Sequence, residues 1–305
     1  MAQLIKLKDY ISRYEWNAYR YPSQFIRLKQ EKWQKLYDLW LEERGNIIVD
    51  QQREQVTAEN NFFSKVKSFF KKEELDIENI QQEAQLPETE QQLRQYFLDR
   101  LYPLQLKWAT STVTDVSFVD ESFNSDPTLI YFLQRFPDIY LMMYEPVFNI
   151  KNAPVDGEIV MISPVGIEVI YLLEDHPSAV FMASDERTWT VDLNHQQRQT
   201  LSPLIALRRT EKIVESILNK EGVSLPVTKT ILSRTNEIIF STEPYQTNII
   251  GNRQYENWFT MKRRLSSPLK NDQLRAVAAL LKYCMTTSVK RPEWETDDNA
   301  MNEEL

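Results

Sequence analysis

The amino-acid sequence predicts a mixed α/β domain, a β-sheet flanked by helices, with a helical N-terminal extension. Two kinds of pattern predict it. The apolar runs 159–162 and 169–173 are too short for helices and indicate strands that are buried on both faces. Apolar residues at three- and four-residue spacing over 204–217 indicate an amphipathic helix. With 42% hydrophobic residues among 305, the chain can also bury a large core.

Composition divides the chain into four zones. Residues 1–49, rich in aromatic residues and helix formers, predict a helical N-terminal arm. Residues 50–87, rich in charge and Gln, predict a linker with one short amphipathic segment. Residues 88–288 alternate between strand and helix patterns and form the predicted α/β domain. Residues 289–305 end in a run of acids and predict a disordered acidic tail.

Local signals then place the elements of the α/β domain. Asp126 before Pro127, and Ser202 before Pro203, are typical of helix starts, because Pro is favoured in the first helical turn. A helix from Glu90 is expected to end before Pro103. The remaining patterns predict strands over 113–119, 139–150, 158–162 and 165–173, a strand pair over 180–191, another over 227–232 and 237–240, and helices near 253–265 and 271–286.

Several function classes are excluded or disfavoured by composition. Five Gly leave no Gly-rich phosphate-binding motif, and a net charge of −8 disfavours nucleic-acid binding by bulk charge. With two His and the single Cys284, a metal site has to rest on carboxylates, and no internal disulfide forms. The N-terminus lacks the apolar segment of a secretory signal, no run is long enough to span a membrane, and a cytoplasmic location is expected.

The charge is unevenly distributed. Residues 251–292 hold nine basic residues against Glu256 and Asp272, a local net of +7. This zone is either a solvated face, a partner for the acidic tail, or a surface that faces nucleic-acid phosphate. The candidate nucleic-acid-binding residues are Arg253, Lys262, Arg263, Arg264, Lys270, Arg275 and Lys282.

The N-terminal arm is a second candidate surface. Its aromatic residues alternate with basic ones and include Tyr10, Tyr14, Trp16, Tyr19 and Tyr21. Such rings can stack on nucleic-acid bases or bind a protein partner, but they can equally pack on the protein's own domain. Packing is the favoured interpretation, and a protein partner at the arm is kept as an expectation.

One segment combines acidic residues with a predicted hairpin. Asp156 and Glu158 precede an apolar strand, a turn at 163–166 with the sequence Ser-Pro-Val-Gly, and a second apolar strand. Residues two apart in a regular strand share a face, so both carboxylates can bind one Mg²⁺ or Mn²⁺ ion. A working site needs a further carboxylate or a substrate oxygen.

This segment resembles the nuclease-related domain found in many bacterial proteins. The resemblance rests on the acid, apolar strand and Ser-Pro-x-Gly turn, on Glu90 at a helix start, on Trp189, and on the helix that starts at Ser202-Pro203. It implies a bacterial protein with a restriction-endonuclease-like fold of the PD-(D/E)xK type. It also implies a metal-dependent nuclease site in which the second strand carries Glu-x-Lys.

The departures from the family pattern concern catalysis. Glu158 stands where the family has Asp, and Tyr171 and Leu173 stand where it has Glu and Lys. Losing both removes a metal ligand and a charge that stabilises the reaction. Glu168 lies on the opposite strand face and is not expected to replace them. The vestigial candidates are Glu90, Asp156, Glu158 and Glu174.

Three interpretations follow. The favoured one is a catalytically silent, nuclease-related protein that binds nucleic acid or scaffolds a protein, with no cofactor. The second is a divergent nuclease that binds Mg²⁺ or Mn²⁺ through Asp156, Glu158 and Glu174. The third is a module that binds only proteins. Cys284, in an Ala- and Leu-rich helical pattern, is expected to be a small core residue.

Overall fold

A computed structural model describes residues 1–50, 86–240 and 244–291 of the chain. Most of the predicted linker (51–85) and the end of the predicted tail (292–305) lie outside the described residues. Within the described part, no helix combines the length and apolar character needed to cross a bilayer. The helices are α1 (Arg13–Trp16), α2 (Tyr21–Asp50), α3 (Glu90–Thr110), α4 (Pro127–Arg135), α5 (Pro203–Lys220), α6 (Asn252–Arg263) and α7 (Asn271–Lys282), with a 3₁₀ helix at Glu121–Asn124.

The chain forms two compact units, one of Met1–Pro22 with the described residues from Gln105 onward, the other of the described residues in Ser23–Leu104. The smaller unit contains most of α2 and the first part of α3. In it the Trp33 ring lies edge-on to Phe97, and Trp40 Nε1 donates a hydrogen bond of 2.6 Å to the Pro87 carbonyl. Aromatic packing therefore joins the two helices of this unit.

The larger unit is built on a six-stranded mixed sheet. Its strands are β1 (Gln3–Leu7), β3 (Leu141–Tyr144), β6 (Ile159–Ser163), β7 (Gly166–Leu172), β11 (Val227–Leu232) and β13 (Thr247–Ile250), and they lie side by side in that order. The pairs β1/β3, β7/β11 and β11/β13 are parallel, while β3/β6 and β6/β7 are antiparallel. Helix α5 packs on β7 and β11, and α7 contacts β6. The prediction of a mixed sheet flanked by helices is confirmed.

A second sheet shares a core with one face of the first. Its strands are β8 (Val180–Ala183), β9 (Thr188–Leu193), β10 (Gln196–Leu201) and β12 (Glu237–Phe240), in the order β10-β9-β8-β12. Trp189 of β9 is the largest side chain in that core and is fully buried. Its indole Nε1 donates to the Ser184 carbonyl at 2.8 Å, so the polar ring atom stays paired inside the apolar core. The remaining described strands form two short pairs, β2 (Asp115–Val116) with β14 (Val289–Lys290), and β4 (Val147–Ile150) with β5 (Ala153–Asp156).

The N-terminal arm differs from the predicted helical extension at its start, because Gln3–Leu7 is a fully buried edge strand of the main sheet. Its two polar residues have partners. Lys6 Nζ contacts Glu15 at 2.5 Å and Thr286 at 3.0 Å, and Gln3 accepts a hydrogen bond from the Tyr14 hydroxyl. Buried polar groups are tolerated when they are paired, so the strand lies inside the fold despite its mixed sequence.

Other differences concern element ends. Helix α3 continues through Pro103 to Thr110, whereas the Pro was expected to end it. The predicted strand 139–150 is two strands separated at Glu145, whose φ of 48° breaks the extended backbone. The predicted strand 113–119 shrinks to Asp115–Val116, and the last predicted helix ends at Lys282.

Candidate functional site

The hairpin formed by β6 and β7 positions the predicted acidic site. Ser163 pairs with Gly166 at the turn, and a side chain on Gly166 would place Cβ only 2.9 Å from the Pro226 carbonyl oxygen. This turn fixes the register, in which Ile159 faces Ile170. Because antiparallel partners step together, Glu158, just before β6, lies across from Tyr171.

Glu158 is held in place from two sides. A Cβ on the preceding Gly157 would lie 2.8 Å from the buried Phe148 ring, so only Gly allows this close passage of the backbone. The Glu158 backbone N–H donates to Thr210 Oγ1 at 3.1 Å, and its carboxylate lies 3.6 Å from the Arg209 guanidinium on α5. The acid is thus fixed against the middle of helix α5.

The surroundings of Glu158 favour the neutral, protonated form of its side chain more than full exposure to water would. Burial raises the pKa of Glu158, Arg209 lowers it, and the nearby Glu145 and Asp156 raise it further. Burial likewise raises the pKa of the Tyr171 phenol, and Glu158 adds to that rise. Glu158, Tyr171, Arg209, Glu145 and Asp156 therefore form one interacting group, which we call the Glu158 cluster.

Tyr171 and Leu173, which stand where the resemblance expects Glu and Lys, belong to the apolar core. Leu173 is buried in the core that the two sheets share, and Tyr171 packs against it. Neither side chain is ionised as Glu and Lys would be, so they bring neither an acid nor a cation to Glu158.

Two other acidic candidates, Glu174 and Glu90, pair with arginines. Glu174 receives hydrogen bonds from the Arg234 side chain at 2.6 and 2.7 Å and from its backbone N–H at 3.0 Å. Burial acts to raise the pKa of Glu174, but the Arg234 hydrogen bonds outweigh it and hold the pKa below its usual range. Glu90 belongs to the smaller unit and pairs with Arg94 at 2.6 Å. Among the described residues, no group of three or more Asp, Glu, His or Cys side chains is arranged to hold a metal ion.

The opposite face of β7 carries a second carboxylate, Glu168, whose Oε1 is hydrogen-bonded and whose Oε2 has an ion-pair partner but no hydrogen bond. Its Oε1 accepts hydrogen bonds from Thr230 Oγ1 at 2.5 Å and Trp258 Nε1 at 3.3 Å. Its Oε2 forms an ion pair with Lys262 Nζ at 2.6 Å. Glu168 is only 5% exposed, and its orientation away from Tyr171 confirms the predicted strand face. We call these residues the Glu168 network.

The predicted basic surface is largely neutralised by its own chain. Four of its seven candidates contact carboxylates: Lys262 with Glu168 at 2.6 Å, Arg253 with Glu237 at 2.8 Å, Lys282 with Glu221 at 2.9 Å and Arg275 with Asp272 at 3.6 Å. Arg263, Arg264 and Lys270 are exposed at the end of α6 and the start of α7, and among the described residues none of these three pairs with a carboxylate.

The aromatic arm divides between packing and exposure. Tyr14 is fully buried and lies near Trp108 and Tyr21, as the packing interpretation expects, whereas Trp16 is 67% exposed.

A cavity of about 600 Å³ lies between this arm and helix α7. Its lining residues are Tyr14, Glu15, Trp16, Asn17, Ala18, Tyr19, Ala278, Leu281, Lys282, Cys284 and Thr286. Cys284 follows α7, and burial raises the pKa of its thiol to about 12, so it carries no thiolate at neutral pH.

The sequence pattern did not indicate Arg209 or strand β10. Arg209 lies on a predicted helix whose apolar stripe was visible, but its partner on another element was not. Strand β10 has the sequence Gln-Gln-Arg-Gln-Thr-Leu, which lacks the apolar alternation of a half-buried strand. The signal that could have identified it is Asn194-His195, a pair of residues that tolerate the positive φ of a tight hairpin turn.

Comparison with known proteins gives one short similarity. A stretch of 44 residues, 14% of this chain, is 54% identical to an RNA 2′,3′-cyclic phosphodiesterase from Geobacillus stearothermophilus. The match spans 14% of that protein's length. No protein-family model matches the chain, and no solved structure matches it. The resemblance to the nuclease-related domain therefore stays a prediction.

Proposed function

We propose that this chain is a nuclease-related protein with a restriction-endonuclease-like domain that has lost catalysis and acts as a binding module. The observation that carries the proposal is the composition of the Glu158 cluster. Glu158 has Tyr171 across from it and Arg209 as its cationic partner. Glu145 and Asp156 add acids to this cluster, but a metal-dependent nuclease also needs a group that activates water, and Tyr171 and Leu173 stand where the family resemblance expects Glu and Lys.

Two features of the fold support the nuclease-related part of this proposal. The acid stands directly before a central antiparallel hairpin, as the family resemblance requires. After the hairpin the chain returns through α5 to the parallel strand β11, giving a mixed sheet with a helix over the site. The same helix supplies the exposed Arg209, whose guanidinium lies 3.6 Å from the partly buried acid.

A cleavage assay tests the loss of catalysis. The full chain is incubated with single- and double-stranded DNA and RNA, and with RNA ending in a 2′,3′-cyclic phosphate, in the presence of Mg²⁺ or Mn²⁺. We expect no cleavage above that of a Glu158→Ala control. Cleavage that disappears in Glu158→Ala would overturn the proposal in favour of the divergent nuclease. Loss in Glu174→Gln as well would bring Glu174 into that site.

The charge pattern favours a protein ligand over a nucleic acid. Because Arg253, Lys262, Arg275 and Lys282 already contact carboxylates, few cations remain to displace counterions from a phosphate backbone. Nucleic-acid binding is the second candidate, supported by the exposed Arg263, Arg264 and Lys270.

An anisotropy titration separates the two ligands. Labelled DNA and RNA oligonucleotides are titrated with the chain at two salt concentrations. For a protein-binding module we expect no affinity that falls with added salt. A salt-dependent affinity that is lost when Arg263, Arg264 and Lys270 are all changed to Gln would instead support nucleic-acid binding.

A further inference from the structure

Strand β10 is an exposed edge whose only charged residue is Arg198. In the described residues it pairs only with β9, in an uninterrupted register from Gln196 to Leu201 without a bulge. Every residue except Thr200 is exposed, although the strand belongs to a sheet. It contains no Pro and no Lys, the residues that commonly prevent an edge strand from pairing with another chain.

The hydrogen-bond phase shows which backbone groups point outward. Asn194 and His195 have φ of 52° and 65°, as in a two-residue type I′ turn, whose flanking residues pair closely. The Ser202 N–H donates to the Arg187 carbonyl at 2.9 Å, so the even-numbered residues bond to β9. The odd-numbered residues therefore direct their N–H and C=O groups away from the sheet: Gln197, Gln199 and Leu201.

We propose that β10 is a dimerisation strand, which pairs antiparallel with β10 of a second copy of this chain about a two-fold axis at Gln199. In this register Gln199 faces Gln199 of the second copy, and Gln197 faces Leu201. Every outward N–H of one strand then meets an outward C=O of the other, and the second sheet continues across the axis. Leu201, which is 57% exposed, loses contact with water in the pair.

Charge supports a second copy as the occupant. Arg198 is the only charged residue in β10, and the two-fold register places it opposite Thr200 and not opposite itself. Like charges that face each other directly would oppose the pairing, and this register has none. The partner strand then carries the same polar side chains as β10 itself, with Leu201 as its one apolar residue.

A foreign peptide fits this edge less well. Strands that capture peptides take their specificity from pockets that receive alternate side chains. Both faces of β10 are exposed, so its side chains form no pocket wall beside the edge. The opposite edge of the same sheet is different, because β12 contacts α6 and carries the Glu237–Arg253 ion pair.

The first test measures the number of chains per particle by light scattering and sedimentation across a concentration series. We expect two chains for the native protein, and one chain for Gln199→Pro, which removes an outward N–H without breaking a bond to β9. Gln199→Thr keeps the N–H and is the matched control. A native protein that stays a single chain at about 100 μM overturns the proposal. So does a Gln199→Pro variant that keeps its fold and still dimerises.

The second test uses the two-fold axis itself. Gln199→Lys and Gln199→Glu each place like charges across the axis, and each variant should raise the dimer dissociation constant by about fivefold. An equimolar mixture of the two should form a mixed dimer at least as tight as the native one. If the mixture shows no rescue, the chains associate through another surface and the proposal fails. The result is independent of any cleavage or nucleic-acid binding.

Discussion

Two acids lie on opposite faces of strand β7 in contrasting surroundings: Glu168 belongs to β7 itself, and Glu158 precedes the neighbouring strand β6. On one face Glu168 is 5% exposed, and each of its oxygens has a donor or cation. On the other face the Glu158 carboxylate lies beside Tyr171 with Arg209 at 3.6 Å, and Glu145 and Asp156 add negative charge. Glu168 thus has a partner for each of its oxygens, whereas Glu158 has Arg209 as the cation near its charge.

The two acids therefore differ in what each contributes to the stability of the fold. A buried acid persists in a fold when it is fully paired, and it then contributes to one packing arrangement. An acid whose surroundings raise its pKa costs stability, which is typical of a present or former functional site. We therefore expect substitutions in the Glu168 network to destabilise the protein strongly, and substitutions in the Glu158 cluster to change stability little.

The largest expected effect comes from Lys262→Met. It leaves the buried Glu168 carboxylate without its cation, and removing one partner of a buried ion pair is strongly destabilising. We expect the free energy of unfolding to fall by about 3 kcal/mol, measured by urea denaturation at pH 7. A matched control is Arg263→Met, the adjacent and exposed residue, which should change it by less than about 0.5 kcal/mol.

An equal loss in the two variants would contradict the assignment of Lys262 to the Glu168 network. It would then belong to the exposed basic surface, as the sequence pattern suggests. The double variant Lys262→Met, Glu168→Leu sharpens the comparison. It removes both charges, and it should recover part of the lost stability because an apolar pair leaves no unpaired ion.

Glu174→Gln should produce the next largest effect, because it weakens three contacts from Arg234. We expect a loss of about 2 kcal/mol at pH 7, typical of hydrogen bonds to a charged group. The folded-state pKa of Glu174 is lowered, so its stabilising contribution is present above the unfolded-state pKa and is lost as pH falls through the folded-state pKa. The difference from the native protein should therefore shrink in acid, and a difference that grows in acid would contradict the pairing.

Gly157→Ala tests how the Glu158 cluster is positioned. Its Cβ would lie 2.8 Å from the buried Phe148 ring and 3.1 Å from the Pro146 carbonyl oxygen. The chain has to shift to accommodate it, at a cost of about 1 to 2 kcal/mol in the free energy of unfolding. Gly222→Ala is the comparison for loss of a glycine, because nothing lies within 4 Å of its Cβ and only its φ of 63° opposes the change. If Gly157→Ala costs nothing, the backbone near Glu158 is not closely packed.

Local chemistry made some elements predictable from the sequence. Asp126 accepts hydrogen bonds from the first turn of α4, and Ser202-Pro203 begins α5, as their residue types indicate. Strand β1 was not predictable as a strand, because burial of Lys6 depends on Glu15 and on Thr286 near the other end of the chain. Strand β10 is polar on both faces, so no hydrophobic pattern marks it.

The candidate site shows the same limit. Asp156 and Glu158 were visible as neighbours in sequence, and they interact in the fold. Lys262 was visible only as one cation in a basic stretch, and its partner Glu168 lies on a distant strand. A sequence states which charges exist, but tertiary contacts decide which of them are already neutralised.

Glu158→Gln should have the smallest effect, opposite in sign to that of Glu174→Gln. The folded-state pKa of Glu158 is raised above its ordinary value of 4.5, so the folded protein binds more protons than the unfolded chain between the two pKa values. Stability therefore falls as pH rises from about 4.5 through the folded-state pKa. Gln cannot ionise, and at pH 7 the variant should be more stable than the native protein by less than about 1 kcal/mol.

The advantage of Glu158→Gln should disappear below about pH 4, where the native acid is protonated and resembles the amide. Arg209→Gln provides the matched comparison, since it removes the cation that lowers the pKa of Glu158 and should steepen the loss of stability with rising pH. If Glu158→Gln instead lowers stability at pH 7, and more so as pH rises, the Arg209 contact outweighs burial. Glu158 would then be a structural acid like Glu168, and the contrast between the two faces of β7 would fail.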